Sequence, residues 1–266
     1  METGLLPQIM RRHPSTMSQP KSSLICSAWT LPLRSLALAI ALIAPLTASA
    51  QAGRVPKPAV DLKPGVANYK VRFDVVGQSA TMDITRTTKE LNGAWVVNET
   101  STTPQFSGSD ETTIEKRTLI IRKRVFHDKV TTGELQFRGH NATGEITVNG
   151  QKQTINVDLG GVVFADGAGG QDVLAALPLA KGYTAEFRNF GMQLQNVKTL
   201  QLRVMGTDTV SVPAGTFNTW RVLIVSLDGG AESSALWVEK RTHRVVKYAM
   251  SFPSFHDAVA TAELTK

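Results

Sequence analysis

The sequence predicts a mainly β fold, either a strongly curved antiparallel sheet or a partly closed barrel, with one short helix packed on it. Three observations favour this class. Apolar and polar residues alternate along most of the chain from Tyr69 onward, Asn-Gly dipeptides separate alternating runs at two places, and only one segment has the periodicity of a helix. Alternation with period two is typical of strands that bury one face and expose the other.

The first fifty residues differ from the rest of the chain and have the features of a secretion signal. An apolar run, Leu36–Leu46, follows the basic residue Arg34 and precedes four small residues that end at Ala50. A basic region, a short apolar run and small residues at alternate positions are what a signal peptidase requires. We therefore expect residues 1–50 to be a signal peptide for the general secretory route, cleaved after Ala50, and the mature protein to be periplasmic.

The position of this apolar run also bears on membrane insertion and on thiol chemistry. The run is shorter than the roughly 20 residues that span a bilayer, and no later stretch approaches that length, so we expect no transmembrane segment in the mature chain. The single cysteine, Cys26, precedes the run, which leaves the mature chain without a thiol for disulfides, metal ligation or nucleophilic catalysis. Met1, Met10 and Met17 are all candidates for the translation start.

The charge balance argues against nucleic acid as a partner. The chain has 29 Lys and Arg against 22 Asp and Glu, and four of the basic and one of the acidic residues fall in residues 1–50, which leaves 25 against 21, or +4. The densest basic cluster, Lys116-Arg117 with Arg122–Arg124, flanks a predicted strand and is typical of solvated strand ends. A nucleic-acid binder concentrates its basic residues on one face, so no such partner is predicted.

The mature chain divides into a short linker and one domain. Residues 51–66 contain Pro56, Pro58 and Pro64, which lack backbone donors and resist both helix and central strand, so we expect an extended linker. Residues 67–266 show neither an internal repeat nor a shift in composition. Because about 200 residues is a common size for an all-β domain, we expect this region to be a single antiparallel β domain.

Strands, turns and one helix follow from local patterns. The apolar members of the clearest alternating runs are Val71, Phe73 and Val75; Leu135 and Phe137; Ile146 and Val148; Ile155, Val157 and Leu159; Leu200, Leu202 and Val204; and Val246, Tyr248, Met250 and Phe252. Asn92-Gly93 and Asn149-Gly150 predict tight hairpin turns, because this dipeptide tolerates positive φ. Val212–Gly215, with its proline second and glycine fourth, predicts another turn. Gln171–Leu177 is the predicted helix, and Pro178 limits its continuation.

The mature sequence contains no recognisable catalytic motif, so no catalytic residue, metal ligand or cofactor is predicted. It has neither the His-Glu-x-x-His pattern of zinc proteases nor the Gly-x-Ser-x-Gly turn of serine hydrolases. The mature histidines His127, His140, His243 and His256 are scattered without ligand spacing. His243 is expected to be an exposed turn residue between two strands.

Two further patterns have ordinary structural explanations. The carboxylates of Asp110-Glu111 and Asp128 are typical of surface near strand ends, although they could supply an acid–base pair. The glycine-rich segment Gly167–Gly170 precedes the predicted helix, but Asp172 would oppose an anion at the start of that helix. A flexible connection between strand and helix is therefore favoured over a phosphate-binding loop.

Four aromatic residues in the last third of the chain are the candidate ligand-binding residues. Trp220, Trp237, Tyr248 and Phe252 all lie on predicted strands. Filling the core is the favoured role for such residues. If the sheet closes incompletely, however, inward-facing aromatics beside Leu and Val would line a cavity suited to an acyl chain or another apolar ligand.

The last third of the chain also resembles a known bacterial family. The segments VSVPAGTF at 210–217, WRV at 220–222, ALWV at 235–238 and HRVVK at 243–247 resemble the turn, tryptophan-bearing strand and closing strand of the domain of unknown function 3108 family. Asp172–Gly182 is similar to the helix and loop in the middle of that family's domain, and the resemblance extends from about Tyr69 to Met250. It implies export and a curved antiparallel sheet similar to the periplasmic lipoprotein carriers. It implies no catalytic residues.

Three functions are compatible with the sequence. Export, a sheet with one apolar face and the missing catalytic motifs favour a periplasmic, non-enzymatic binding or accessory protein, whose ligand would be an apolar small molecule or a lipid. One alternative is an envelope protein-interaction module, in which an exposed sheet edge pairs with an envelope protein. The other is a hydrolase whose site assembles from dispersed His, Asp and Ser residues.

Overall fold

Strands and one short helix make up the regular structure of the residues that the computed structural model describes, which are 55–104, 106–191, 196–253 and 256–266. The strands are β1 Gly65–Val75, β2 Gln78–Leu91, β3 Ala94–Thr102, β4 Ser107–Glu115, β5 Ile121–His127, β6 Thr131–Arg138, β7 Asn141–Val148, β8 Gln151–Asp158, β9 Thr184–Gly191, β10 Asn196–Val212, β11 Gly215–Ser226, β12 Ser233–Glu239, β13 Val245–Phe252 and β14 Ala258–Leu264. The helix α1 is Gly170–Ala175. The predicted signal peptide, with Cys26, the candidate start residues and the cleavage after Ala50, lies outside the described residues.

Neighbouring strands pair antiparallel in one sheet, in the order β8-β7-β6-β5-β4-β3-β2-β1-β14-β13-β12-β11-β10-β9. β1 to β8 form one meander and β9 to β14 form a second, and α1 lies in the connection between them. β14 joins the two meanders by pairing with β1, where Tyr69 lies opposite Leu264. The sheet is not closed, and the predicted fold class, a mainly β chain with a curved antiparallel sheet and one short helix, is confirmed.

The predicted turns are present. Asn92-Gly93 joins β2 to β3 with φ values of 50° and 76°, and Asn149-Gly150 joins β7 to β8 with φ values of 50° and 78°. Positive φ at both central residues gives the turn whose twist matches that of two paired strands. Val212 pairs with Gly215 across the predicted Pro213-Ala214 turn, which joins β10 to β11.

Alternate strand residues on the inner face of the sheet supply two apolar clusters. The larger cluster combines β1 to β4, β9 to β14 and α1, and it includes the buried residues Val97, Leu202 and Val238. The smaller cluster lies on β5 to β8 and also contains Phe190 of β9. Apolar side chains from distant parts of the chain therefore cover one face of the sheet.

Helix α1 lies against the larger cluster. Val173, Leu174 and Leu177 are buried, as the helical pattern predicts. The helix ends at Ala175, before the predicted Leu177, because Pro178 disfavours helical backbone angles at the residue that precedes it. In the part of the chain that the structure describes, no helix is long and apolar enough to cross a bilayer.

A close approach between β5 and β6 gives a test of this packing. Gly133 lies opposite Phe126, and a Cβ added to Gly133 would come within 2.3 Å of the Phe126 ring. We expect Gly133→Ala to lower the free energy of unfolding by about 1–3 kcal/mol, because the overpacked ring must move. Urea unfolding followed by circular dichroism measures the change.

Gly65→Ala in β1 is the matched control, since a Cβ there meets nothing within 4 Å. It should leave the stability unchanged or raise it slightly by restricting the unfolded chain. Equal unfolding midpoints for the two alanine variants would show that the Phe126 ring does not restrict this position.

Candidate functional site

A buried arginine connects α1 to the sheet. Arg86 occupies a core-facing position of β2, between the buried residues Ile84 and Thr88, and only 1% of its surface is exposed. Its Nε donates to Glu99 Oε1 at 2.7 Å, and its Nη1 donates to Asp172 Oδ1 at 2.9 Å. Hydrogen bonds to charged groups are stronger than neutral ones, so this cation fixes the helix on the inner face of the sheet.

The partners of Arg86 are themselves held in place. Arg86 Nη2 donates to Gln171 Oε1 at 2.8 Å, and Glu99 Oε1 also accepts a bond from the backbone N–H of Gly169 at 2.8 Å. Gly169 precedes α1 with φ of 76°, and a Cβ at this position would come 2.8 Å from the Val97 side chain. Only glycine therefore brings the start of the helix this close to the sheet.

Two tyrosines complete the surroundings of Arg86. The guanidinium carbon lies 5.2 Å from the centre of the Tyr69 ring, within cation–π range. Tyr69 donates its hydroxyl hydrogen to Val245 O at 2.9 Å, and its ring meets Tyr248 edge to face at 5.7 Å. Burial raises the pKa of Tyr69, and it raises the pKa of Tyr248 to about 12, so both hydroxyls are neutral at physiological pH.

A second arginine holds the glycine-rich segment that precedes the helix. Arg124 of β5 donates from Nη2 to Asp110 Oδ2 at 2.7 Å and from Nη1 to Asp166 Oδ1 at 3.2 Å. Asp166 Oδ1 also accepts the Gly167 N–H at 2.9 Å. Within the described residues, Thr112 Oγ1 and Asp166 Oδ2 are buried without a hydrogen-bond partner. Both ends of the segment from Asp166 to Asp172 are thus tied to charged groups on the sheet.

The pKa values of three carboxyl groups in these networks are all raised. Burial raises the pKa of Asp110, Asp166 and Asp172, although the neighbouring arginine opposes the shift in each case. The positive charge of Arg244 also opposes the rise in the pKa of Asp172, so Arg244 stands close to the floor of the site.

A pocket of about 380 Å³ opens beside Arg86, where β1 begins and β2 ends. Its apolar lining includes Val60, Leu62, Val66, Ala67 and Ala176. Tyr69, Arg86, Thr88 and Asp172 form a polar floor, and Lys63, Thr242, His243 and Arg244 stand among the other lining residues. Clefts that combine apolar walls with a few convergent polar groups are typical of small-molecule sites.

Residues 55–64, which we call the strap, supply part of the pocket lining through Val60–Pro64. The backbone N–H groups of Ala59 and Val60 both donate to Ala176 O, at 2.8 and 3.2 Å. Asp61 Oδ1 accepts the indole N–H of Trp95 at 2.6 Å, and Leu62 is buried. The strap has no regular secondary structure, yet these contacts hold it against the end of α1 and against β3.

The turn between β12 and β13 also lines the pocket. His243 lies in this turn, as predicted, but it is half-buried rather than exposed. Its Nδ1 lies 2.7 Å from Ala175 O. Because a carbonyl oxygen only accepts hydrogen bonds, Nδ1 carries the hydrogen, and in the neutral ring Nε2 is left as an acceptor. The bond was not visible in the sequence, because 68 positions separate the two residues.

The four aromatic candidates occupy different places, and none of them lines this pocket. Tyr248 is buried beneath Tyr69. Phe252 lies on the same face of β13 and packs beside Phe73, with ring centres 6.3 Å apart. Trp220 is half-buried and has the ammonium of Lys240 4.5 Å from its ring centre.

Trp237 is turned away from the others. It stands between the buried residues Leu236 and Val238 of β12, so its side chain projects to the opposite face of the sheet. There its Nε1 donates to Asp208 Oδ2 at 3.1 Å.

The other polar candidates have structural partners. Asp110 pairs with Arg124, and Asp128 Oδ1 accepts the backbone N–H groups of Val130 and Thr131 in the turn between β5 and β6. Among the described residues, no three histidine, cysteine or acidic side chains are grouped so that they could hold a metal ion.

Sequence reasoning overlooked Arg86, although one signal was present. Arg86 lies two positions after Ile84 and therefore on the same face of the strand. A charged residue at such a core position requires a buried partner. The acidic residue at the start of the helix, Asp172, is that partner.

Comparison with known proteins identifies a family. The family model described as "Protein of unknown function (DUF3108)" matches residues 68–263, from β1 to β14. This match confirms the resemblance that the sequence motifs indicated. A comparison with curated proteins finds no match.

Two solved structures are similar to the chain. A protein from Bacteroides fragilis, described as an exported protein with a YmcC-like fold, is 10% identical over 79% of this chain and 98% of that chain, with a TM-score of 0.27. A DUF1329 family protein from Desulfovibrio piger is 9% identical over 75% of this chain and 82% of that chain, with a TM-score of 0.26.

Removing the buried cation should destabilise the fold strongly. We expect Arg86→Met to lower the free energy of unfolding by about 3–5 kcal/mol, because Glu99 and Asp172 lose the charge that compensates them. Arg72→Met is the control, since Arg72 pairs with Asp74 while 65% of its side chain is exposed, and an exposed pair contributes at most about 1 kcal/mol. Urea unfolding gives both values, and a loss below 1 kcal/mol for Arg86→Met would contradict the anchoring role.

The raised pKa of Asp166 predicts a pH dependence of stability. Burial raises the pKa of Asp166 in the folded chain. At a pH between the pKa of the unfolded chain and that of the folded chain, Asp166 therefore holds a proton more often in the folded chain. The free energy of unfolding consequently falls as pH rises through the folded pKa. Asp166→Asn keeps an Oδ1 acceptor but cannot titrate. We therefore expect wild type to lose stability relative to Asp166→Asn as pH rises from about 4, the ordinary value for an aspartate, through the raised pKa of the folded state.

Unfolding by urea at a series of pH values tests this dependence. Asp83→Asn is the control, because Asp83 is an exposed residue paired with Lys70, and it should keep the slope of the wild type. If Asp166→Asn also keeps that slope, the Asp166 carboxyl does not titrate in the expected direction.

Proposed function

The chain belongs to the DUF3108 family, and we propose that it is an exported, non-enzymatic binding protein that holds an apolar or lipid-like ligand in the pocket beside Arg86. The pocket is the observation that carries this proposal. Its volume of about 380 Å³ falls in the range of about 300–1,000 Å³ that is usual for small-molecule sites.

The construction of the pocket suits binding. Valine, leucine and alanine side chains from the strap, β1 and the end of α1 supply its apolar wall. The hydrogen bonds from Ala59 and Val60 to Ala176 O hold two parts of this wall together before any ligand arrives. A site that is already ordered loses less conformational entropy when a ligand binds.

Two polar side chains of the pocket have structural partners. Asp172 is paired with Arg86, and the Nδ1–H of His243 donates to Ala175 O. These bonds join the helix, the sheet and the turn, and they leave Nε2 of His243 as the acceptor of this pair of residues that a general base would use.

The place of action follows from the N-terminal sequence. We propose that residues 1–50 direct export by the general secretory route, that cleavage occurs after Ala50, and that the mature protein acts in the periplasm. The strap would then begin within a few residues of the new N-terminus, and its three prolines favour an extended path along the pocket.

Native mass spectrometry of the mature protein, purified from a periplasmic extract, tests the proposal. We expect an added mass that organic solvent extracts as an apolar or lipid-like molecule. Ala67→Phe, which places a ring in the pocket, should remove this mass. A bare protein mass for the wild type would overturn the proposal.

Substitutions outside the pocket provide the controls. Ala249 lies on β13, opposite Ala235 of β12, and it is not among the residues that line the pocket, so the bound mass should persist in Ala249→Phe. Trp237→Ala should also retain the ligand, because Trp237 projects from the other face of the sheet. Loss of the ligand from Trp237→Ala and not from Ala67→Phe would place the site among the aromatic residues instead.

A further inference from the structure

Among the described residues, two cationic side chains of the pocket form no ion pair with an aspartate or glutamate side chain. Lys63 lies on the strap and Arg244 lies in the turn between β12 and β13, so two separate segments of the chain bring these cations to the same pocket. Arg244 donates one bond from Nη2 to the backbone oxygen Lys266 O at 2.6 Å. A guanidinium has five N–H donors, which leaves most of its donors available to another acceptor.

The two carboxylates of the pocket lining are already committed. Asp172 accepts from Arg86, which Glu99 also compensates. Asp61 accepts from the indole of Trp95 and from its neighbouring backbone N–H. Counted over the lining residues alone, the three cations Lys63, Arg86 and Arg244 exceed the two carboxylates Asp61 and Asp172, which gives a net charge of +1.

The volume limits the apolar part of a ligand. About 380 Å³ is room for roughly a dozen groups the size of a water molecule, at about 30 Å³ each. One short chain fits in that space, whereas two chains exceed it.

We propose that the pocket selects single-chain amphiphiles with an anionic head, a carboxylate or a phosphate, which Lys63 and Arg244 bind while the chain lies against Val60, Leu62 and Ala67. This inference rests on the proposed function and adds the chemical class of its ligand. Arginine is well suited to the head, because its planar N–H groups match both carboxylate and phosphate. Arg244 is half-buried, so fewer water molecules screen its charge than screen the charge of the exposed Lys63.

Calorimetric titration with three ten-carbon probes tests the inference at neutral pH. The probes are decanoate, monodecyl phosphate and uncharged decanol. We expect wild type to bind at least one of the anions about tenfold or more tightly than decanol, which corresponds to about 1.4 kcal/mol. The ratio between decanoate and monodecyl phosphate distinguishes a fatty-acid head from a phosphate head.

Neutral variants of the two cations should remove the preference and nothing else. In the double variant that carries both Lys63→Gln and Arg244→Gln, binding of the preferred anion should weaken by about tenfold or more, while binding of decanol stays unchanged. Lys63→Gln alone, which changes an exposed side chain, should show part of the loss.

Matched cations outside the pocket serve as controls. Lys57 lies on the same strap and Arg241 lies in the same turn, and neither lines the pocket. Lys57→Gln with Arg241→Gln should keep the preference of the wild type for the anion.

The possible failures are distinguishable. Equal binding of all three probes, or an anion preference that survives in Lys63→Gln with Arg244→Gln, would overturn the anionic-head inference and leave the pocket as an apolar site. Absence of binding by every probe would overturn this inference, and only a bare wild-type mass in the native spectrum would overturn the proposed function as well.

Discussion

The burial of one guanidinium is the constraint on which the site depends. Arg86 is out of contact with water, and an isolated charge in that position would cost several kcal/mol. Glu99 and Asp172 offset that cost only when β3 and α1 stand where they do. The position of the helix then sets the position of Ala176 O, and this oxygen receives the two backbone bonds of the strap. The pocket wall is thus a consequence of the arginine network.

The second network extends the same principle along the connection between the two meanders. Arg124, with Asp110 and Asp166, fixes the glycine-rich segment before the helix. Four buried or half-buried carboxylates surround two guanidinium groups here, so the inner face carries more acidic than basic groups. Raised carboxyl pKa values are the expected response to that imbalance and to burial. The connection is therefore held by charge, whereas the strands beneath it are held by apolar packing and ladder hydrogen bonds.

The pocket combines these two kinds of stabilisation. Its apolar wall belongs to the strap and to the first residues of β1, and its floor belongs to the arginine network. Because Arg86 is compensated inside the fold, it presents no free charge to a ligand. The charges that remain available stand nearer the solvent, on Lys63 and Arg244. With the carboxylates engaged inside the fold and two cations nearer the solvent, the pocket suits a ligand whose chain enters the fold and whose anionic head stays near the surface.

The sequence by itself determined the local elements. Period-two alternation predicted the strands, Asn92-Gly93 and Asn149-Gly150 predicted their hairpins, and Val173, Leu174 and Leu177 predicted the buried side of the helix, because backbone angles and side-chain direction depend on near neighbours. The tertiary structure alone decided the pairing of Tyr69 with Leu264, the bond from Arg86 to Asp172 across 86 positions, and the contact of His243 with Ala175. Each of these contacts joins residues far apart in the chain, and no local pattern specifies which distant partner will meet a given side chain once the sheet has curved. The site, which is built from such contacts, therefore became visible only in the folded molecule.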